Sequence, residues 1–166
     1  LINYRKNSDD MIYGMTLKST NNNIPDWTIP GKFFKYNNIF ITYGKDKTGS
    51  LYNLDNIISL KRRINKKVDL VTADGGFDYS VDFNSQEVIS QKLIFCEIVT
   101  ALTIQKVGGN FVCKIFDLFN SVTIELLWLI SCFYETITIT KPYTSRPANS
   151  EKYTGIAATK SASSTL

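Results

Sequence analysis

The chain has 166 residues, 43% of them hydrophobic and 20% charged, with a formal net charge of +4; this is the profile of one globular domain with a real core, and it excludes disordered and fibrous classes. There is no histidine, so Ser-His nucleophiles and most zinc sites are excluded, and proton transfer falls to carboxylates, lysine, tyrosine or cysteine. Cys96, Cys113 and Cys132 sit in apolar runs at no metal-ligand or disulfide spacing and read as small buried residues in a reducing compartment.

In chain order, MIYGMTL (Met11–Leu17) is a short strand, followed over 18–38 by a loop rich in Asn with Pro25 and Pro30. NIFITYG (Asn38–Gly44) is a second strand and KDKTGS a turn. Asp55–Lys67 is a helix with Ile57, Ile58, Leu60 and Ile64 roughly on one face. Its basic end, KRRINKK, suits the helix dipole as readily as it suits RNA. Val68–Gly76 (VDLVTADGG) is an apolar strand ending in Asp-Gly-Gly, and Gln86–Val107 a long helix. In GGNFVCKIFD (Gly108–Asp117) the Gly-Gly pair marks a turn. Phe111, Val112, Cys113, Ile115 and Phe116 then make the near-continuous apolar run of a strand buried on both faces. Ser121–Phe133 is a helix, Glu135–Pro142 a strand, SRPANSEK a loop and YTGIAAT the last strand, before a frayed tail, KSASSTL. The most apolar segment, Val122–Tyr134, is too short to span a bilayer and contains Glu125, so a soluble, intracellular protein is expected.

Alternating strands and helices predict an α/β sandwich with a mainly parallel sheet, the closing pair of strands being antiparallel if adjacent. Ligands of such sheets bind at the carboxyl ends of the strands. Asp74, Lys114 and Glu151 fall near that edge, about one strand–helix repeat apart. Singly, Asp-Gly-Gly is an ordinary turn and a glutamate before a strand is ordinarily solvated. Lys114 is harder to dismiss, because an ammonium among apolar neighbours needs carboxylate partners or must give up its proton. Flanked by both acids it stays charged; with modest desolvation it is poised as a base. The pattern alone leaves the chemistry open.

DLVTADGGFD (Asp69–Asp78), GGNFVCKIFDLF (Gly108–Phe119) and KPYTSRPANSEKY (Lys141–Tyr153) resemble the motifs of FtsJ-type ribose 2′-O-methyltransferases. Among these the chain is most similar to the eukaryotic and viral enzymes that methylate the first transcribed nucleotide of capped mRNA. GMTLK (Gly14–Lys18) and YGKDKTG resemble the second strand and third-strand loop of that group, so the likeness runs from about Met11 to Tyr153. It implies a Rossmann-like sheet, mostly parallel with an antiparallel last strand, over residues 1–156, with 157–166 as a tail. It implies S-adenosylmethionine (SAM) as cofactor, the capped mRNA 5′ end as partner alongside other capping or transcription proteins, and neither metal nor membrane. A nuclear location is expected or, for a viral enzyme, cytoplasm or virion. The family's Lys-Asp-Lys-Glu tetrad carries over as Asp74, Lys114 and Glu151, with Asp74, Thr16 and Leu17 near the cofactor. Lys141, Ser145, Arg146 and Asn149 fall on the RNA side. Tyr143 and Tyr153 are candidates for stacking on a base, Tyr153 reading more readily as a core residue.

Two departures stand out. The tetrad's first lysine and the glycine-rich SAM loop are absent ahead of GMTLK, and LINYRKN resembles the helix that follows that loop. A domain truncated at its N-terminus, lacking its first strand, is therefore expected, with poor SAM binding and little turnover as it stands. Where the family commonly has an aspartate that holds adenosine, this chain has Ser50. The competing expectations are an FtsJ-type enzyme of ribosomal or transfer RNA, and an inert RNA-binding or scaffolding module of the same fold. A NAD-binding domain is disfavoured by the lack of any G-x-G-x-x-G.

Overall fold

A computed structural model of the chain describes residues 7, 9–18, 36–77, 85–146 and 148–159; most of the expected Asn-rich loop, LINYRK and the tail lie outside them. The chain divides into two units, Leu1–Ile64 and Asn65–Leu166.

In the first unit, β-branched and aromatic residues form two short parallel strands, β1 (Ile12–Met15) and β2 (Ile39–Thr42), with Ile12 opposite Ile39. Tyr13 and Phe40 stack with ring centroids 5.3 Å apart. The loop after β2 is built around Asp46, which accepts hydrogen bonds from the Thr48 amide and hydroxyl and from Asn53 and Asn56. Those bonds, Thr48's first, hold its carboxyl well below the usual range. Helix α1 (Leu54–Arg63) begins at Asn53, whose side chain caps the Asp55 amide. It stops four residues short of the expected Lys67, because Ile64 turns to extended backbone and buries its side chain. Lys61, Arg62 and Arg63 occupy its last turn, where cations favour the helix dipole.

The second unit comprises β3 (Val68–Ala73), α2 (Gln86–Ile104), β4 (Gln105–Ile115), α3 (Ser121–Phe133), β5 (Tyr134–Thr140) and β6 (Lys152–Thr159). Its sheet has the order β3-β4-β6-β5. β3 and β4 are parallel, and β6 lies between β4 and β5, antiparallel to both. Three strands thus share one direction and the last is reversed. Ile94, Ile98 and Ala101 of α2 and Leu126 and Ile130 of α3 pack on Phe111, Cys113, Ile115 and Ile156 of the sheet to form the core.

Two expectations about β4 need correction. Gly108–Gly109 is no turn between elements: β4 starts at Gln105, directly after α2, and the glycines sit inside it. The register with β3 jumps from Val68–Gln105 to Leu70–Asn110, and Gly108 takes φ +76° there, so the pair forms a bulge. Nor is the strand buried on both faces. Phe111, Cys113 and Ile115 are buried, whereas Val112 and Lys114 point to the opposite face and are half-buried. Side chains alternate between a buried and a half-buried face, so the apolar run is not that of a doubly covered sheet.

A buried polar pair joins β4 to β5: the Tyr134 hydroxyl donates to Gln105 Oε1 at 2.6 Å. Burial pushes that hydroxyl up to about 12, and Gln105 Nε2 has no partner among the described residues. Replacing Tyr134 by Phe leaves the glutamine amide wholly unsatisfied, and the expected cost is about 1–3 kcal/mol. A thermal melt of Tyr134→Phe superimposing on the wild type would remove this pair from the account of stability. Among the described residues no helix is long and apolar enough to cross a membrane.

Candidate active site

Three segment ends meet at one edge of the four-stranded sheet. Asp74 follows β3, Lys114 is the penultimate residue of β4, and Glu151 precedes β6. Because β6 runs against β4, its beginning lies beside the end of β4, with Tyr153 opposite Lys114. The register of β3 on β4 sets Ala73 opposite Cys113, which brings Asp74 level with Lys114. Lys114 Nζ lies 3.0 Å from Asp74 Oδ1 and 3.9 Å from Glu151 Oε1. It also donates to the Asp74 carbonyl at 3.3 Å. The lysine side chain is only 11% exposed, against 68% for Asp74 and 33% for Glu151.

This environment fixes the charge on Lys114. Burial alone would pull its pKa down, but the hydrogen bond and charge of Asp74, then Glu151 and Tyr153, outweigh it and the net shift is upward from 10.5. The pairing therefore contributes fully below 10.5 and is lost only as pH rises through the higher folded value. Near neutral pH the resting site holds an ammonium, which donates hydrogen bonds and cannot accept a proton. Of the two roles left open for this lysine, its surroundings match the charged one.

Tyr153 does not lie in the core. In β6, Thr154 and Ile156 take the buried face, so Tyr153 turns to the other, where its hydroxyl donates to Asp74 Oδ1 at 3.4 Å. Burial and then the charge of Asp74 push that hydroxyl up. The alternation within YTGIAAT carries this signal, but the reading of an aromatic residue as core obscured it.

The loop between β5 and β6 is knit from within. Lys141 Nζ donates to the Asn149 carbonyl and to Asn149 Oδ1, both at 2.7 Å, and to the Glu151 carbonyl at 3.1 Å. Ser145 donates to Asn149 Oδ1, and Asn149 Nδ2 donates to Glu151 Oε2 at 2.8 Å. Three of the four residues expected on the RNA side are thus engaged in shaping this loop and holding Glu151. Arg146 is exposed on it. An open cleft of about 730 Å³ runs alongside, lined by Pro142, Ser145, Arg146, Asn149, Glu151 and Tyr153 among others. Thr16 and Leu17 lie just past β1 in the first unit, where Thr16 packs against Gly49. Ser50 belongs to the turn before α1, its hydroxyl accepting from the Tyr52 amide.

The fit of a cationic small molecule such as SAM can be judged from the turn after β3. Gly75 and Gly76 offer no side chains, and a Cβ at Gly76 would stand 3.2 Å from Lys114 Nζ, in the space before the ammonium. An exposed carboxylate, Asp74, borders that space. Asp74 Oδ1 is taken by Lys114, so what the turn offers a positively charged group is the exposed remainder of that carboxylate, not the space before the ammonium.

The family model for FtsJ-like methyltransferase matches residues 4–157. Two proteins of Caenorhabditis briggsae match over 116 residues, 67% of this chain. They are cap-specific mRNA (nucleoside-2′-O-)-methyltransferase 1A, 41% identical, and the inactive cap-specific mRNA (nucleoside-2′-O-)-methyltransferase 1B, 39% identical. These matches span 13% and 14% of the two proteins. Cap-specific mRNA (nucleoside-2′-O-)-methyltransferase 1 of Mus musculus is 37% identical over 150 residues, 85% of this chain and 17% of that protein. The chain therefore spans less than a fifth of the length of these curated relatives. Among solved structures, a putative ribosomal RNA methyltransferase from Plasmodium falciparum shares the fold, with a TM-score of 0.52 and 20% identity over 74% of this chain and 65% of that one.

Proposed function

The chain belongs to the FtsJ-like methyltransferase family, and from that membership we propose that it carries the methyl-transfer centre of an enzyme acting on the ribose 2′-oxygen of the first transcribed nucleotide of capped mRNA. The observation that carries this reading is the Lys114 ammonium held between Asp74 and Glu151 at the sheet edge. SAM, when bound, supplies a methyl group already activated on a positively charged sulfur. The protein's own task is then to align an oxygen and remove its proton.

Lys114 donates a hydrogen bond to the 2′-oxygen and turns a lone pair toward the methyl carbon. Asp74 holds Lys114 in that orientation and favours positive charge nearby. The proton of the ribose hydroxyl leaves to Glu151 as its oxygen is alkylated; bound SAM would supply the methyl group and would retain the carbon–sulfur electron pair. Glu151 Oε1 is the acceptor: it lies 3.9 Å from Lys114 Nζ and takes no hydrogen bond among the described residues, while Oε2 is held by Asn149. Being 33% exposed, Glu151 passes the proton to solvent. Arg146, exposed beside the cleft, contacts phosphate, and the cleft takes the RNA strand next to the reacting ribose.

The similarity to relatives several times longer supports a further part of the reading. The glycine-rich SAM loop and first lysine, absent from these residues ahead of Gly14, would be contributed by the remainder of a longer protein. The 166-residue chain alone is expected to bind SAM more weakly than micromolar, measured by isothermal titration; micromolar affinity would contradict this. The substrate is tested with the full-length protein by comparing capped and uncapped RNA as methyl acceptors. Equal methylation of both favours an enzyme of ribosomal or transfer RNA. The similarity to an inactive relative gives the inert-module reading a definite basis, and no transfer to either RNA by the full-length protein would favour it.

A further inference from the structure

Glu97 is a buried carboxylate that the proposed chemistry does not use. It lies on α2, is 5% exposed and forms no ion pair among the described residues. Burial raises its pKa, and its hydrogen bonds to Gly75 and Cys113 pull it part of the way back. A carboxylate in such a place is costly unless its oxygens are used. Both are. Oε1 accepts from the Gly75 amide at 2.9 Å, and Oε2 accepts from Cys113 Sγ at 3.6 Å. Gly75 and Cys113 are the neighbours in sequence of Asp74 and Lys114. Helix α2 carries a second buried glutamate for contrast: Glu87 accepts from the Phe119 and Asn120 amides and so anchors the start of α3, away from the two charged residues.

The turn after β3 has particular need of an anchor. β3 ends at Ala73, so the ladder to β4 no longer holds the backbone at Asp74, whose side chain is largely exposed. The turn is also fitted closely to the glutamate: a Cβ at Gly75 would fall 2.5 Å from Glu97 Oε1 and 2.8 Å from Leu93 Cδ2. We propose that Glu97 is a positioning residue for the methyl-transfer centre: by holding the Gly75 amide it fixes the Asp74–Gly75–Gly76 turn, and with it the carboxylate and carbonyl that grip Lys114. This rests on the reaction proposed above.

The test uses the full-length protein with Glu97→Gln, Glu97→Leu and Glu97→Asp. Glutamine offers the same oxygen to Gly75, leucine fills the space without an acceptor, and aspartate keeps the charge but withdraws the acceptor by one methylene. Glu97→Gln is expected to keep a near wild-type kcat. Glu97→Leu and Glu97→Asp are expected to lose kcat on the order of 100-fold through misplacement of the reacting groups, at unchanged KM for RNA and with faster hydrogen exchange at the Gly75 amide. Should Glu97→Leu fail to fold, Glu97→Asp answers the same question. A wild-type kcat in either variant, a loss in Glu97→Gln as large as theirs, or an effect confined to KM would overturn the proposal. A wild-type protein that methylates no RNA would refute the reaction instead, and the Gly75 exchange comparison would then decide the positioning by itself.

Discussion

Lys114→Ala is expected to cut methyl transfer by about 10³-fold or more, the combined worth of orienting the oxygen and stabilising charge beside it, while leaving the fold standing. The substitution removes a cation whose side chain is 11% exposed, and both acids it leaves behind reach solvent, at 68% and 33% exposure. Neither partner acid is stranded in the core, and the buried Glu97 keeps its hydrogen bonds to Gly75 and Cys113, so thermal unfolding of the variant should stay close to the wild type. Lys114→Arg should not rescue the rate. The guanidinium is a wide planar fork in place of a compact ammonium, and its longer reach would carry the charge past the point, 3.0 Å from Asp74 Oδ1, where the ammonium sits. A large rate loss accompanied by an equally large drop in melting temperature would instead identify Lys114 as a structural residue.

Asp74→Asn should lower the rate on the order of 100-fold and, more tellingly, change its pH dependence in a direction that separates the two roles open to the lysine. Asp74 supplies the leading upward influences on Lys114, against a burial effect that acts downward. With the charge removed, the lysine pKa falls. If the ammonium is the working form, the alkaline limb of the pH–rate profile moves to lower pH, because the orienting proton is lost earlier. If the neutral amine were the working form, the same substitution would increase the fraction of active enzyme near neutrality and the rate there would rise. The geometry predicts the first outcome, and a rise in rate at pH 7 would contradict it.

How much of this was legible in the sequence varied with the physics of each element. Helix α3 has its expected bounds, Ser121–Phe133, because Asn120 caps the Val122 amide and marks the start chemically. The predicted end of α1 overran, since basic residues are good helix formers and nothing local announces that Ile64 will leave the helix to bury itself. The nearness of Asp74, Lys114 and Glu151 could be anticipated from the strand–helix repeat and from the rule placing ligands at strand ends. The face on which Lys114 lies could not. In this near-continuous apolar run Val112 on the site face is indistinguishable in sequence from Phe111 in the core. Glu97 was silent for a related reason: in IFCEIVTAL a lone glutamate reads as an ordinary exposed helix position, and only the packing of α2 beneath the Asp74 turn reveals its role.

The central claim is that a charged lysine, gripped by two acids at the sheet edge, directs methylation of a ribose 2′-oxygen. Its most direct test is single-turnover reaction of the full-length protein with capped RNA, the modified nucleoside being identified by mass spectrometry for the wild type and for Lys114→Ala. The account predicts a 2′-O-methyl group on the first transcribed nucleotide from the wild type, and its near-complete loss in the variant at an unchanged melting temperature. Methylation at another position by the wild type, or an undiminished rate from Lys114→Ala, would contradict it.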